Sequence, residues 1–560
     1  MDLNIRFGGE AGQGIVSIGE ILSGAFVQSG LEVFTGQSYM SRIRGGLNWV
    51  DLRIADAELF GLRENADLLV AFSEPAYELL KNDLSDEGKV IFNCSKEEGV
   101  EEPNVLCFDF KEMAKEAGGS AVMTNAVAAG AVFAMLDYDL EILLNYLKKE
   151  FEDKGEELIE KNQKCARLGY EHVSASEVSL QGPQTTGSPS GTLVKGAEAI
   201  GLSAAVSGIK FATAYPMSPS TATFASLAKK SDEYGILVEQ AEDEIAAINM
   251  VCGATYAGVM AMTTTSGGGF ALMGEGISLA GIMELPAVVL IAQRPGPATG
   301  LPTRTGQEDL NLAIYSGHGE FARAVYAPGT QQQCYELTRH AIATAQRFQT
   351  PIILLTEQFL QDATKNIQPL ETDFDPVERH LIDSGDENYR RYEITDDGIS
   401  PRTIPGGKAP VICDSDEHGE DGHITEDLET RIRMQEKRLA KIEALKEDCL
   451  EPEYYGPEDA DTLLVCWGAT YGAVREAVDR LNESEKKFAM LHFAQLWPLV
   501  PEKIQPRLES PKRVVMIEGN STGQLRTLLY GQRCCRQMET LLRYDGLPIT
   551  ADLIMKEVNA

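Results

Sequence analysis

The sequence predicts a multidomain α/β protein in which mostly parallel sheets are flanked by helices. Short apolar runs of strand type recur between helical stretches along most of the chain, an alternation that marks parallel sheets covered on both faces. Turns bearing glycine, hydroxyl or acidic residues follow several of these runs, at Gly8–Gly14, Tyr215–Thr221, Glu239–Glu244 and Ser266–Gly269, the edge where open α/β sheets bind ligands. The length of 560 residues allows about three or four domains, each large enough for its own core.

Residues 1–173 read as a first unit. Leu3–Phe7 is a strand, GGEAGQG (Gly8–Gly14) a glycine loop and Ile15–Val27 an amphipathic helix. That order either aims backbone N–H groups at an anion or only permits a tight strand-to-helix turn. The spacing is not G-x-G-x-x-G, so a nicotinamide site is poorly supported. The stretch TGQSYMSRIRGGLNW carries Arg42 and Arg44 just before two glycines, either a mobile basic loop that meets an anionic ligand or a plain exposed loop. Ala121–Phe151 is helical in pattern and Lys148–Lys164 a charged, solvated continuation. Residues 174–191, rich in Ser, Gly, Pro, Thr and Gln, read as a linker.

The second unit, 192–375, holds the most informative stretch. Lys210–Ala214 leads into YPMSPST, where two prolines hold an irregular turn that presents hydroxyls. Ile236–Val238 is a short strand, Glu239, Glu242, Asp243 and Glu244 follow it, and an Ala- and Gly-rich helix begins at once. Val259–Met262 then runs into TTTSGGG, read as a glycine loop. Ala287–Ala292 and Ile352–Leu355 are buried-type strands, and the Pro- and Gly-rich loop between them carries Arg294 and Arg304, whose planar forks suit carboxylate or phosphate. Residues 376–455 are charged and poor in apolar runs apart from a helix over Thr425–Cys449, so they either wrap a neighbouring domain or subunit or form a linker. Residues 456–560 return to α/β with strands at Thr462–Cys466, Phe488–His492 and Arg513–Ile517.

Composition narrows the function. A net charge of −35 argues against nucleic acid as a partner. No apolar run approaches the ~18 residues of a membrane span and no basic leader precedes the first strand, which points to a cytoplasmic protein. The ten cysteines include no C-x-x-C pair and the seven histidines no metal-ligand set, so neither an iron–sulfur cluster nor a metal centre is specified here, and buried free thiols are expected. A Ser–His–Asp hydrolase is unsupported and a P-loop is missing. A cofactor-assisted site remains.

Glu244, with Ala247 and Gly253 beyond it and then a strand and TSGGG, resembles the pyrimidine-binding domain of thiamine diphosphate enzymes. YPMSPST, EDEIAA, TTTSGGG, GPATGLPTRTGQEDL and SPRTIPGG, in that order, are together similar to the α subunit of the 2-oxoacid:ferredoxin oxidoreductases. GGEAGQGI and IRGG resemble that family's γ domain, fused here at the N-terminus, and 456–560 resembles a transketolase C-terminal domain.

The resemblance implies site residues one by one. Glu244 accepts a hydrogen bond from the aminopyrimidine ring of thiamine diphosphate and favours its imino tautomer, while Pro216, Ser266 and Gly267 belong to the cofactor-binding motifs. Ser218 stands where the family usually has Thr, keeping a hydroxyl for the 2-oxoacid. Arg304 matches the substrate-carboxylate residue, and Arg44 stands where relatives often carry Lys. Two guanidinium groups favour a dicarboxylate, 2-oxoglutarate, over pyruvate or branched-chain or aryl 2-oxoacids. The implied reaction uses coenzyme A and passes electrons to ferredoxin. The chain lacks a G-D-G motif and cluster cysteines, so Mg²⁺ and a [4Fe–4S] cluster are expected on a β subunit, in a dimer of αβ heterodimers. A non-catalytic scaffold and a nicotinamide-binding protein are the competing readings.

Overall fold

A computed structural model describes residues 1–40, 46–94, 102–383, 387–484, 486–535 and 538–559. The chain forms two compact units, one of residues 1–194 with 362–369 and 550–560, the other of residues 195–361 with 370–549.

The first unit is built on an eight-stranded mixed sheet. Asp2–Glu10 lies near its centre, antiparallel to Leu47–Ala55 and parallel to Ala66–Ala71. Leu84–Asn93 and Val105–Phe108 continue the parallel half. The strand runs through Gly8 and Gly9, so the glycine turn is shorter than its sequence suggests. Gly14, at φ 77°, introduces the helix Ile15–Gln28 without a side-chain cap. The helical stretch over 121–151 breaks at Asp137 (φ 55°), giving Thr124–Met135 and Leu140–Glu150. The charged continuation is a separate helix, Glu156–Ser174, and it is not simply solvated: Cys165, Ala166, Gly169 and Val173 are buried. A Cβ on Gly130 would lie 1.9 Å from the carbonyl oxygen of Ala166, and one on Gly169 2.0 Å from that of Val127, so two helices cross there at backbone contact.

Residues 174–191 are tied along the first unit. Leu180 N donates to Met135 O, Tyr138 Oη to Pro183 O and Ser190 Oγ to Leu31 O. Cys94 and Cys107, expected as free thiols, are joined as a disulfide; they follow and occupy neighbouring parallel strands, which brings their Cα atoms within 5.6 Å, and sequence spacing alone does not show that proximity.

The second unit contains two sheets. In the larger, the order is Gln495–Trp497, Ala324–Tyr326, Ile352–Glu357, Val288–Gln293, Ala261–Thr265, Phe211–Ala214 and Leu237–Gln240, parallel except at the first strand. The smaller places Phe488–Phe493, Thr462–Trp467, Arg513–Glu518 and Glu539–Leu542 in parallel, with Glu453–Tyr455 antiparallel at one edge. One apolar cluster, including Ile248, Phe270, Ile291, Val465, Met516 and Leu525, joins both sheets. TTT ends the strand Ala261–Thr265, and the three glycines are not a loop: they open the helix Gly267–Leu272.

The charged segment before the smaller sheet contributes the helix Leu428–Glu447. Its Lys437 and Lys441 meet the buried Glu284 at 2.6 and 2.5 Å. The two ammonium groups hold the Glu284 carboxyl well below its ordinary range, while burial pushes the Lys441 ammonium down to about 7. No helix among the described residues is long and apolar enough to cross a membrane.

Candidate active site

The strand order of the larger sheet reverses at Phe211–Ala214: the next strand in sequence, Leu237–Gln240, lies on one side and Ala261–Thr265 on the other, both parallel to it. Such a reversal leaves a crevice at the carboxyl ends of the strands. The turn Tyr215–Ser220 and the N-terminus of the glycine helix both open there, and they touch, since Ser266 Oγ donates to Met217 Sδ at 2.6 Å.

Four acids gather at the start of the helix Glu244–Tyr256, and only one is buried. Asp243 is the cap, its Oδ1 accepting from Ala246 N at 2.6 Å. Glu239 and Glu242 are exposed. Glu244 sits in the first turn with 3% of its surface exposed, and its Oε1 has no hydrogen-bond partner among the described residues. A buried carboxylate oxygen without a donor is costly. Gly269 faces it: a Cβ there would lie 2.6 Å from Oε1 and 2.1 Å from Thr265 Oγ1. An orphaned acceptor beside bare backbone fits a ligand that brings an N–H group, as an aminopyrimidine does.

The loop after Val288–Gln293 closes another side. Arg294 Nη1 donates to the carbonyl oxygen of the exposed Ser218 at 2.6 Å, so the arginine holds the turn's backbone. Asp309 N donates to Gln293 Oε1 at 2.9 Å, and the Asp309 carboxylate lies 2.3 Å from where a Cβ on Gly267 would stand. Burial, reinforced by Glu308 and opposed by Arg294, pushes the Asp309 carboxyl up to about 6. Arg304 lies further along the loop and is half-buried. Its Cβ is 3.0 Å from the Cβ position of Gly546, and Thr305 N donates to Gly546 O. Burial lowers its guanidinium, against the pull of Asp545.

Of the residues singled out from sequence, the geometry brings together Glu244, Ser266, Gly267 and the turn that holds Pro216 and Ser218. The contacts described for Arg304 are on the Asp545–Gly546 side. Arg44 lies outside the described residues. Met217 and Asp309 were missed. Both fall inside motifs that sequence had marked, but only the fold turns them toward the glycine helix. Among the described residues, no group of three His, Cys, Asp or Glu side chains stands close enough to hold a metal ion.

This crevice sets a buried helix-start glutamate and a glycine helix at a topological switch point, inside a domain of thiamine diphosphate-binding class. Residues 203–437 match the family described as pyruvate flavodoxin/ferredoxin oxidoreductase, thiamine diphosphate-binding, and residues 4–172 match pyruvate ferredoxin/flavodoxin oxidoreductase. A 2-oxoglutarate:ferredoxin oxidoreductase structure from Magnetococcus marinus, described with 2-oxoglutarate, coenzyme A and succinyl-CoA bound, is 32% identical with a TM-score of 0.92, covering 100% of this chain and 99% of that one. The 2-oxoacid:ferredoxin oxidoreductase subunit alpha of a Sulfolobus species is 28% identical over 99% of this chain and 96% of its own. The 2-oxoglutarate oxidoreductase subunit KorA of Mycobacterium tuberculosis is 27% identical over 99% and 91%. The chain belongs to the α subunits of the 2-oxoacid:ferredoxin oxidoreductases, with the γ-type domain at its N-terminus.

Proposed function

We propose that this α subunit, joined to a β subunit, catalyses the coenzyme A-dependent oxidative decarboxylation of 2-oxoglutarate. One 2-oxoacid and one coenzyme A give one acyl-CoA, one carbon dioxide and one proton, and two electrons leave singly to two ferredoxin molecules. The observation that carries this reading is the unpartnered, buried Oε1 of Glu244 beside Gly269.

Bound thiamine diphosphate would supply the carbanion chemistry that a 2-oxoacid needs in order to lose carbon dioxide. Glu244 would accept a hydrogen bond from its pyrimidine ring, and a fixed anion in a water-poor pocket is well suited to hold that proton. Ser266, Gly267 and Pro216 would form the wall against the ring. Ser218 would offer its hydroxyl to the substrate, while Arg304 would pair with a carboxylate of a dicarboxylic 2-oxoacid. The bound ligands described for the Magnetococcus marinus protein support that choice over pyruvate.

Ile245 and Leu272 line one cavity and leave 49% and 52% of their surfaces exposed. Clustered exposed apolar side chains mark a surface that another protein covers. A β subunit would cover them and bring the Mg²⁺, diphosphate and cluster sites. We also retain the domain division given by sequence: γ-type domain to residue 173, linker to 191, pyrimidine domain to 375, connecting segment to 455 and a transketolase-type C-terminal domain.

Glu244→Gln tests the reading in the reconstituted complex. Its kcat is expected to fall roughly a hundred- to ten-thousand-fold, the range for a lost proton-transfer partner, with an unchanged circular dichroism spectrum. Turnover within about threefold of the wild type would refute it.

A further inference from the structure

The strand ends of the smaller sheet make a socket for one side chain of the loop that carries Arg304. The strands Thr462–Trp467 and Arg513–Glu518 are each followed at once by a glycine, Gly468 and Gly519. Gln307, three residues beyond Arg304 and 3% exposed, fills the space that these glycines leave. A Cβ on Gly519 would stand 3.2 Å from Gln307 Cγ, and one on Gly468 would stand 3.1 Å from its Nε2 and 2.4 Å from Glu357 Oε1.

Every polar atom of Gln307 is used. Its Nε2 donates to Trp467 O at 2.9 Å and to Oε1 of the buried Glu357 at 2.6 Å, and its Oε1 accepts from Gly519 N at 2.8 Å. The backbone N donates to Gly519 O at 2.7 Å, and the backbone O accepts from Asn520 Nδ2 at 3.0 Å. Gly519 N can only donate and Trp467 O can only accept, so the amide has one orientation. Neither a carboxylate nor an apolar side chain would satisfy the three groups that it meets. Because Glu357 ends the strand Ile352–Glu357 of the larger sheet, the amide clamps together the carboxyl ends of strands from both sheets.

The neighbouring residues extend the clamp toward Arg304. Thr305 N donates to Gly546 O at 3.2 Å, and Thr305 Oγ1 accepts from Phe359 N at 3.3 Å. On the other side of Arg304 the bonds run within the loop, Arg304 N donating to Leu301 O and Leu301 N to Pro295 O, and residues 296–301 are exposed. The fixed end of the loop is therefore the Gln307 end.

We infer that Gln307 is a positioning residue: through its amide the smaller sheet, which contributes no reacting group, fixes the segment from which Arg304 meets the substrate carboxylate. The part assigned to Arg304 rests on the proposed function; the clamp itself does not. Removing the amide leaves Gly519 N, Trp467 O and Glu357 Oε1 short of a partner in the interior, and the loop relieves that only by moving.

Two measurements test the inference. In the reconstituted complex, Gln307→Glu keeps the shape and the acceptor for Gly519 N and loses both donors. It is expected to raise KM for 2-oxoglutarate about tenfold while kcat and thiamine diphosphate affinity stay within about threefold, the pattern of a misplaced binding group in an intact fold. Adding Glu357→Gln returns an N–H to the contact with position 307 and is expected to bring KM back to within about threefold of the wild type. An unchanged KM in Gln307→Glu, losses spread equally over KM, kcat and cofactor affinity, or a double variant no better than the single one would overturn the inference. The second measurement needs no substitution. In the wild-type complex the amides of Thr305 and Gln307, corrected for intrinsic rates, are expected to exchange at least about a hundredfold more slowly than those of Ala298 and Gly300, and equal rates would overturn the clamp. If the complex oxidises no 2-oxoacid the functional reading fails, and the exchange measurement still decides the clamp.

Discussion

Glu244 does little for its own helix, because Asp243 already caps it and Glu242 is exposed to solvent. Burying a carboxylate oxygen without a donor destabilises the chain by about 1–3 kcal/mol, so its retention in a crevice points to a ligand. The opposing Gly269 is required for a related reason. Gly269→Ala would drive a methyl group against Thr265 Oγ1 and Glu244 Oε1, and overpacking of this kind costs about 1–3 kcal/mol. Thiamine diphosphate affinity, measured by reactivation of the apo-complex, should fall roughly ten- to a hundredfold. An affinity equal to the wild type would mean that the pocket is not where Glu244 and Gly269 place it.

At the level of elements, the strands and most helices were legible from apolar runs and their flanking turns, and so was the crevice, because Glu244, Ser266, Gly267 and Pro216 all follow strands. Glycine is a poor helix former, which hid the start of Gly267–Leu272. Charge hid the packing of Glu156–Ser174, whose buried stripe is carried by small residues such as Ala166 and Gly169. The Gln307–Glu357 clamp had no local signal, since Glu357 ends an apolar strand fifty residues away in sequence from its partner. The same holds for Glu284, which neutralises part of the charge that Lys437 and Lys441 bring to the interior. Glu284→Ala leaves those ammonium groups buried without their counter-ion and should lower the unfolding free energy in urea by about 3–5 kcal/mol. A loss below about 0.5 kcal/mol would show that water reaches the cluster.

Across the whole molecule, each compact unit has its own core, and the chemistry proposed for the chain lies in the second. The net charge of −35 favours solubility and disfavours polyanionic partners. On the proposed function, activity depends on a second subunit that completes the cofactor site. The most direct test is ferredoxin reduction by the α chain alone and with its β subunit, supplied with thiamine diphosphate, Mg²⁺, coenzyme A and either 2-oxoglutarate or pyruvate. The complex should turn over only with thiamine diphosphate and coenzyme A, with kcat/KM at least about tenfold higher for 2-oxoglutarate, a difference of about 1.4 kcal/mol in transition-state binding, and the α chain alone should be inactive. Turnover by the α chain alone, or by a complex without thiamine diphosphate, would contradict the account, and a preference for pyruvate would overturn its choice of substrate.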